Sequence, residues 1–365
     1  MKNVVLYNTS LLKGGTDKYM FELAINIDKS KFNVDIIIKD GDNVDSFLYD
    51  ELKKNNVNVF LAKGNAISRI LAIRKFFKQN KNKYDVAHIN ATSEGTGLIS
   101  YFAKKVGKVK KVIFHSHMGG IDRNKGLVDK VGTKLMFKYS DVFASCSTEA
   151  SQFMFGKKFA EENKVVVLNN SVDISIFNFD ETIRKNTRKL LNIDDNKFVL
   201  LHVGRFAPQK NHKLLIDVFA ELKKVNSNAV LVLIGEGVLL EEVQQQVANL
   251  NLVEDIKFLG LKNNVSDYMQ ASDCFVMTSL HEGLPIVAVE AQACGLPCVL
   301  SSNISKETKL AENVEFVDLN SPLNEWINAI LKFRDKERTS GEEILKEHKF
   351  DHKSAIEFIE KLYES

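Results

Sequence analysis

The chain has 365 residues, 44% of them hydrophobic and 27% charged, an ordinary globular balance that suggests about two domains at the usual ~100–200 residues each. No run of ~18 or more uncharged apolar residues appears, which excludes a membrane-spanning helix. The net charge of +3 hides an asymmetry: residues 1–170 carry 28 Lys+Arg against 17 Asp+Glu (+11), and residues 171–365 carry 22 against 30 (−8), so the first half is suited to an anionic surface or polymer.

The N-terminal stretch "MKNVVLYNTSLLKGG" opens on a strand, "NVVLY" (3–7), rather than on a signal peptide. Next comes "KGGTDKYMFELAINI", where Gly14 and Gly15 stand between that strand and a helix with an apolar face of Tyr19, Met20, Leu23, Ala24 and Ile27. Thr16 or Asp17 is placed to cap the helix. A glycine pair here either brings backbone N–H groups close to an anion or makes a plain tight turn. The spacing is not G-x-G-x-x-G, so the dehydrogenase fingerprint is absent. Two more apolar runs follow, "VDIII" (34–38) and "DVAHI" (85–89). The sharpest basic cluster is "KKVGKVKK", Lys104 to Lys111. It reads as a solvated helix end or as a patch for an anionic membrane. Nucleic acid is disfavoured, since no aromatic interleaving or recognised module accompanies it.

The run "KVIFH" (111–115) places His115 at the carboxyl end of a strand, with His117 two residues on. Both point the same way if the strand continues. A metal would need a third ligand, and none lies nearby. "VFAS" (142–145) and "KVVVL" (164–168) complete the first series. Residues 169–197 are polar, hold no strand pattern and read as a linker.

A second series follows: "FVLLHVG" (198–204), "AVLVLIG" (229–235), "IKFLG" (256–260), "DCFVM" (273–277), "PCVLS" (297–301) and "VEFV" (314–317). Near-continuous Val/Ile/Leu strands are buried on both faces, as in parallel sheets. Amphipathic helices alternate with them, such as "KLLIDVFAELKKV" (213–225), with Leu214, Leu215, Val218, Phe219 and Leu222 on one stripe. The fold class is therefore α/β, with two Rossmann-like doubly wound domains and a cleft expected between them.

The second half carries the chemistry. In "GRFAPQKNH", Gly204 turns the chain out of a strand, and Arg205 and Lys210 stand near the next helix start. Two cations beside a helix N-terminus suit a phosphate or diphosphate, although loop charges alone would look the same. In "HEGLPIVAVEAQACGLPCV", Gly283 and Leu284 offer N–H groups, and Pro285 opens a helix without wasting a donor. Gly295 stops that helix, and Pro297 starts the next strand. Glu290 lies inside the helix among Val287, Ala288, Val289 and Ala291, where a glutamate is expected only with partners. A ribose diol would supply two donors. Glu282 stands at the helix start. The four cysteines, Cys146, Cys274, Cys294 and Cys298, lack zinc spacing and read as inert buried thiols.

E-G-L-P, seven residues between Glu282 and Glu290, and E-A-x-A-x-G-x-P resemble the signature of the retaining glycosyltransferases of family 4 (glycosyl transferases group 1), which have the GT-B fold. "HVGRFAPQKN", "VLIGEG", "IKFLG", "VSDYMQASDCFVMTS" and "LNNSVDISIF" are similar to that family in order. The first half matches only through Gly14–Gly15 and His115. The resemblance implies an acceptor-side domain at 1–170, a nucleotide-sugar domain at 171–349, and a C-terminal helix, about 350–365, that packs back on the first. It implies that Gly204, Arg205, Lys210, Gly283, Leu284 and, from the other domain, Gly15 surround the diphosphate. Glu290 would bind the ribose, Glu282 the transferred sugar, and the loop after Gly260 the base. Gly14 and His117 fall on the acceptor side, and His115 near the reacting carbon; whether His115 or His117 enters the site stays open.

The implied activity is transfer of a sugar, with retention, from a nucleotide-diphosphate sugar, expected as UDP-linked, to an acceptor hydroxyl. The acceptor expected is a lipid-linked saccharide of a surface or capsular polysaccharide. No metal and no cofactor are expected, since fixed cations replace a metal and no D-x-D-type acidic triplet is present. The expected place is the cytoplasm, at the inner face of the cell membrane. A GT-B epimerase or phosphorylase, or a binding protein without catalysis, are the alternatives.

Overall fold

In the computed structural model the chain divides into two units, Met1–Ser171 with Lys353–Ser365, and Val172–His352. The structure describes residues 1–12, 15–117, 126–162, 164–169, 171–334, 336, 338, 340–348 and 350–365, with backbone alone at 15 and 16.

The first unit is built on seven strands: β1 (Lys2–Asn8), β2 (Phe32–Ile38), β3 (Asn58–Leu61), β4 (Val86–Ala91), β5 (Lys111–Ser116), β6 (Val142–Ser145) and β7 (Val165–Val167). They form one parallel sheet in the order β3-β2-β1-β4-β5-β6-β7. Val4, Leu6, Ile36 and Ile38 enter one core layer, and Val5, Tyr7, Ile37 and Ile89 the other. Burial on both faces is why the runs are continuously apolar. The order reverses between β1 and β4, the switch point where such sheets leave a crevice at the strands' carboxyl ends. Strand β3 is the one the sequence did not announce. It is a four-residue edge strand, half-exposed, so it carries neither a long apolar run nor a clean alternation.

The last helix, His352–Glu364, belongs to this unit. Ile359 and Tyr363 enter its core. Lys2 Nζ donates to the Tyr363 and Glu364 carbonyls at 2.9 and 2.8 Å, and Lys111 Nζ to the Leu362 carbonyl at 3.0 Å. Cations on the last carbonyls of a helix satisfy orphan acceptors and favour its dipole. Lys104 pairs with Asp141 at 2.7 Å and Lys110 with Asp85 at 2.7 Å. Three of the five lysines in the basic cluster therefore hold the fold together.

The second unit has six strands: β8 (Phe198–Val203), β9 (Ala229–Ile234), β10 (Ile256–Phe258), β11 (Cys274–Met277), β12 (Cys298–Ser301) and β13 (Val314–Val317). They too are parallel, ordered β10-β9-β8-β11-β12-β13, with the switch point between β8 and β11. All six apolar runs of the second half form strands. Most of the expected linker, residues 169–197, does not link. From Val172 onward it folds into the second unit, with Val172, Phe177 and Ile193 in its core. Its polarity comes from the helix Glu181–Leu190, in which Arg184 and Arg188 grip Asp273 at 2.6 and 2.8 Å. Arg188 is buried and also donates to the Ala271, Asp195 and Lys197 carbonyls, so its charge is fully dressed. All four cysteines are buried, and none is in a disulfide. Burial pushes the thiols of Cys274, Cys294 and Cys298 upward, Cys294 to about 12, which makes them unreactive.

Candidate functional site

In the second unit the loops at the carboxyl ends of β8, β9 and β10 lie on one another backbone to backbone. Gly204 N donates to Ile234 O at 2.9 Å, Phe206 N to Glu236 O at 2.9 Å, and Gly235 N to Gly260 O at 3.0 Å. A Cβ on Gly235 would stand 2.0 Å from Gly204 O, at a φ of 142° that side chains rarely adopt. The glycines of "VLIGEG" and Gly260 thus fix the position of the Gly204–Phe206 turn. Arg205 projects from that turn into solvent, with no side-chain partner among the described residues.

Lys210 ends a short 3-10 turn, Pro208–Lys210. Its stem runs along Gly204, where an added Cβ would sit 3.3 Å from Cδ. Its ammonium pairs with Glu282 at 2.6 Å, both side chains largely buried. The β11 loop is laced to this turn. Thr278 Oγ1 donates to Asn211 O at 2.9 Å, Leu280 N to Gln209 O at 2.8 Å, and Gln209 Nε2 to His281 O at 2.9 Å. Lys210 and Glu282 are therefore brought together at the β8/β11 switch point, with Arg205 on the adjoining turn and its side chain in solvent.

Downstream of Glu282 the helix Ile286–Ala293 begins at Pro285 with no side-chain cap. Its first N–H groups are suited to an anion. Leu284 packs on the unit's core, and Gly283 and Leu284 are half-buried. Gly295 closes the helix with φ 63°, as its position implied. Glu290 is 8% exposed, on a helix otherwise turned into the core. Gln292, not singled out by sequence, is a satisfied buried amide. It donates to Ala288 O and Thr308 O and accepts from Leu310 N and Ala311 N, pinning the helix to the loop that follows β12.

Two histidines beside Lys210 also escaped sequence reading. His202 is buried on β8, with Nδ1 2.8 Å from Val276 O, and His212 stacks on Phe206 with ring centroids 4.1 Å apart. Burial, then the neighbouring Lys210 charge, lowers His212 to about 4; burial, then His212, lowers His202 well below the usual range. Both stay neutral at pH 7 and leave the local positive charge to Lys210 and Arg205.

The first unit holds a separate polar cluster at its own switch point. His115, on β5, is fully buried, and its Nδ1 lies 3.0 Å from His88 Nε2. His88 Nδ1 lies 2.6 Å from the Tyr363 hydroxyl. The His115 and His117 rings are 4.1 Å apart, and Tyr19 sits edge-on to His115 at 5.0 Å. The Nε2 atoms of both histidines are enclosed without a hydrogen-bond partner among the described residues. Strand alternation thus sends the two rings the same way, as their spacing implied. Asp17 does not cap the helix Gly15–Asn26; it accepts from Asn8 Nδ2, Ser10 Oγ and Leu12 N, tying down the loop after β1. Gly15 starts that helix, and Gly14 lies outside the described residues. Among the described residues no three His, Cys, Asp or Glu side chains form a metal site, and no helix is long and apolar enough to cross a membrane.

Residues 183–337 match the model of the family described as glycosyl transferases group 1. A putative glycosyltransferase of Bacillus subtilis, EpsF, is 29% identical over 91% of this chain and 87% of its own. The UDP-Gal:alpha-D-GlcNAc-diphosphoundecaprenol alpha-1,3-galactosyltransferase of Escherichia coli is 28% identical over 86% of this chain and 82% of its own. In fold, the chain is similar to the crystal structure of Anabaena HepE in complex with UDP and glucose, with a TM-score of 0.81 at 19% identity and full coverage of both chains. The motifs spaced from Gly204 to Pro297, the two parallel sheets and these relatives agree: the second unit carries the glycosyl transferases group 1 match, and the chain as a whole is similar to glycosyltransferases and has the GT-B fold.

Proposed function

We propose that this glycosyltransferase moves a sugar, with retention, from a UDP-linked donor to a hydroxyl of a lipid-linked saccharide in surface polysaccharide synthesis. The observation that carries this reading is the Lys210–Glu282 pair, held at the β8/β11 switch point beside an uncapped helix N-terminus. It supports a site for a diphosphate next to a group that accepts hydrogen bonds from sugar hydroxyls. The Escherichia coli relative takes its donor and its lipid-diphosphate acceptor by name, and the Anabaena neighbour holds UDP and glucose; these support the donor and acceptor classes. The epimerase and phosphorylase alternatives draw no support from these relatives.

As the donor's C–O bond breaks, charge grows on the leaving diphosphate. Lys210, Arg205, the N–H groups of Gly283 and Leu284 and the helix dipole stabilise that charge where it develops. The leaving phosphate oxygen takes the acceptor proton, so no separate base is needed. Glu290 takes the ribose diol, and the loop after Gly260 the base. Gly15 adds an N–H group to the diphosphate. The family resemblance, and not a contact between the units, is what assigns His115 to the transferred sugar and His117 to the acceptor side. These cations stand in for a metal. Transfer from UDP-sugars to a polyprenyl-diphosphate saccharide, assayed in EDTA, tests the reading. Product with retained configuration is expected, and activity lost in chelator and restored by Mg²⁺ or Mn²⁺ would overturn the metal-free part.

Glu290→Gln is expected to weaken binding of UDP alone. Glu282→Gln is expected to leave UDP binding intact or tighter, because it frees Lys210 from its ion pair, and to impair transfer. Calorimetry with UDP separates the two; equal weakening in both would contradict the ribose and hexose assignments.

Cytoplasmic work at an anionic membrane face is part of this proposal. The support moves from the Lys104–Lys111 cluster to the helix Leu127–Tyr139, where Leu127, Val128 and Val131 are exposed beside Lys130 and Lys134. Exposed apolar residues flanked by lysines suit an anionic lipid surface. Co-sedimentation with anionic vesicles is expected to fall with salt and with Val128→Glu/Val131→Glu; no sedimentation at low salt would remove the membrane from the proposal.

A further inference from the structure

Three side chains in the first unit form a single hydrogen-bonded line. The Tyr363 hydroxyl comes from the last helix, 2.6 Å from His88 Nδ1, and His88 Nε2 is 3.0 Å from His115 Nδ1. All three are buried to within 2% of full enclosure. The far end of the line, His115 Nε2, has no partner among the described residues.

The line can run in two directions. In one, Tyr363 donates to His88, His88 donates from Nε2 to His115 Nδ1, and His115 carries its proton on Nε2. In the other, His115 donates from Nδ1, His88 donates from Nδ1 to Tyr363, and His115 Nε2 is a bare lone pair. The second direction leaves the Tyr363 hydroxyl hydrogen without an acceptor, because His88 is its only hydrogen-bond partner among the described residues. It also leaves the His115 Nε2 lone pair unmet, so two groups go unpaired, and each further unmet buried polar group costs about 1–3 kcal/mol, roughly 5- to 150-fold in the population of that arrangement. The first direction leaves unpaired just one group, the Nε2–H of His115. Burial keeps both histidines neutral and the tyrosine protonated, so no added proton blurs the choice.

We propose that Tyr363 and His88 are positioning residues that fix His115 as its Nε2–H tautomer, so that His115 meets its ligand as a hydrogen-bond donor and not as a base. The consequence for catalysis rests on the reading that His115 serves the transferred sugar. A donor at that nitrogen suits a sugar hydroxyl or ring oxygen through its lone pair. It also gives the C-terminal helix a part in the reaction: its Tyr363 sets the state of a side chain on β5. The Lys2 and Lys111 contacts to the last carbonyls hold that helix in place.

Imidazole ¹⁵N NMR on the full chain, with His115 assigned by substitution, reads the tautomer directly. The wild type is expected to show a protonated, pyrrole-like Nε2 and a pyridine-like Nδ1 on His115; the reverse pattern would overturn the proposal. Tyr363→Phe removes one hydroxyl and keeps the ring in its core. It is expected to shift His115 toward a mixture of tautomers and to lower kcat roughly tenfold, below the ~10²-fold scale of losing a positioned donor outright, with the donor KM little changed. An unchanged His115 spectrum together with unchanged kcat would also overturn it. A fully active His115→Ala would instead remove the catalytic consequence, while the spectrum still decides the tautomer.

Discussion

Lys210→Ala is expected to lower turnover ~10²-fold or more, the scale of losing one positioned stabiliser of transition-state charge, in a protein that stays folded. Lys210 is the enclosed cation at the β8/β11 switch point, and no other described side chain takes its place against Glu282. Its removal also leaves the Glu282 carboxylate without its ion-pair partner, at a cost of about 1–3 kcal/mol. That is small beside the ~5–15 kcal/mol stability of a typical domain. The stability loss is expected to be recovered in Lys210→Ala/Glu282→Gln, which removes the unpaired carboxylate charge. Arg205→Ala is expected to cost a similar factor in turnover and almost nothing in stability, because Arg205 is exposed and unpaired among the described residues. Steady-state rates at saturating donor and thermal melts read both quantities. Near-normal turnover in Arg205→Ala/Lys210→Ala would sink the diphosphate assignment.

Much of this architecture was legible because buried parallel strands leave a strong trace: twelve apolar runs were read, and all twelve lie on strands. The exception, Asn58–Leu61, is a half-exposed edge and leaves almost none. The polar segment 169–197 misled for the opposite reason. Its arginines look solvated in sequence, yet Arg188 is buried by contacts to Asp273 and to carbonyls distant in sequence. The loops around Arg205, Lys210 and Glu282 could be placed because glycines and prolines mark where strands end. Which of these side chains touch could not, since the Lys210–Glu282 pair spans two loops about seventy residues apart that only the sheet order brings together. The His88–Tyr363 contact is harder still, joining residues 275 positions apart. Its one local trace is a histidine inside the apolar run "DVAHI", a residue that a two-sided buried strand admits only with a partner.

Those buried histidines set the pH response. Burial lowers His88 and His117 to about 3 and His115 well below its usual range, with His117 and His88 adding to the effect on His115. In the unfolded chain each returns to about 6.5. The unfolded state therefore binds more protons between those values, so stability is full above about pH 7 and falls as pH drops through 6.5. Between pH 7 and pH 5 the loss is about 2 kcal/mol for each of His88 and His117, and His115 adds to it in the same direction, a large share of the stability of an ordinary domain. His202 and His212 act in the same direction in the second unit. Carboxylates do not confuse this window. Asp35 is raised by burial but held down overall by hydrogen bonds from Lys83, Tyr84 and Asn58, so its protonation weakens the fold only below about pH 4. Urea unfolding at pH 7, 6 and 5 is expected to show a steep loss. His117→Phe should flatten it by about 1 kcal/mol per pH unit, one histidine's share of that loss. Equal stability at pH 7 and pH 5 would mean that these rings are hydrated and charged in the folded protein, and a charged His88 or His115 would break the neutral line from Tyr363 on which the donor state of His115 depends.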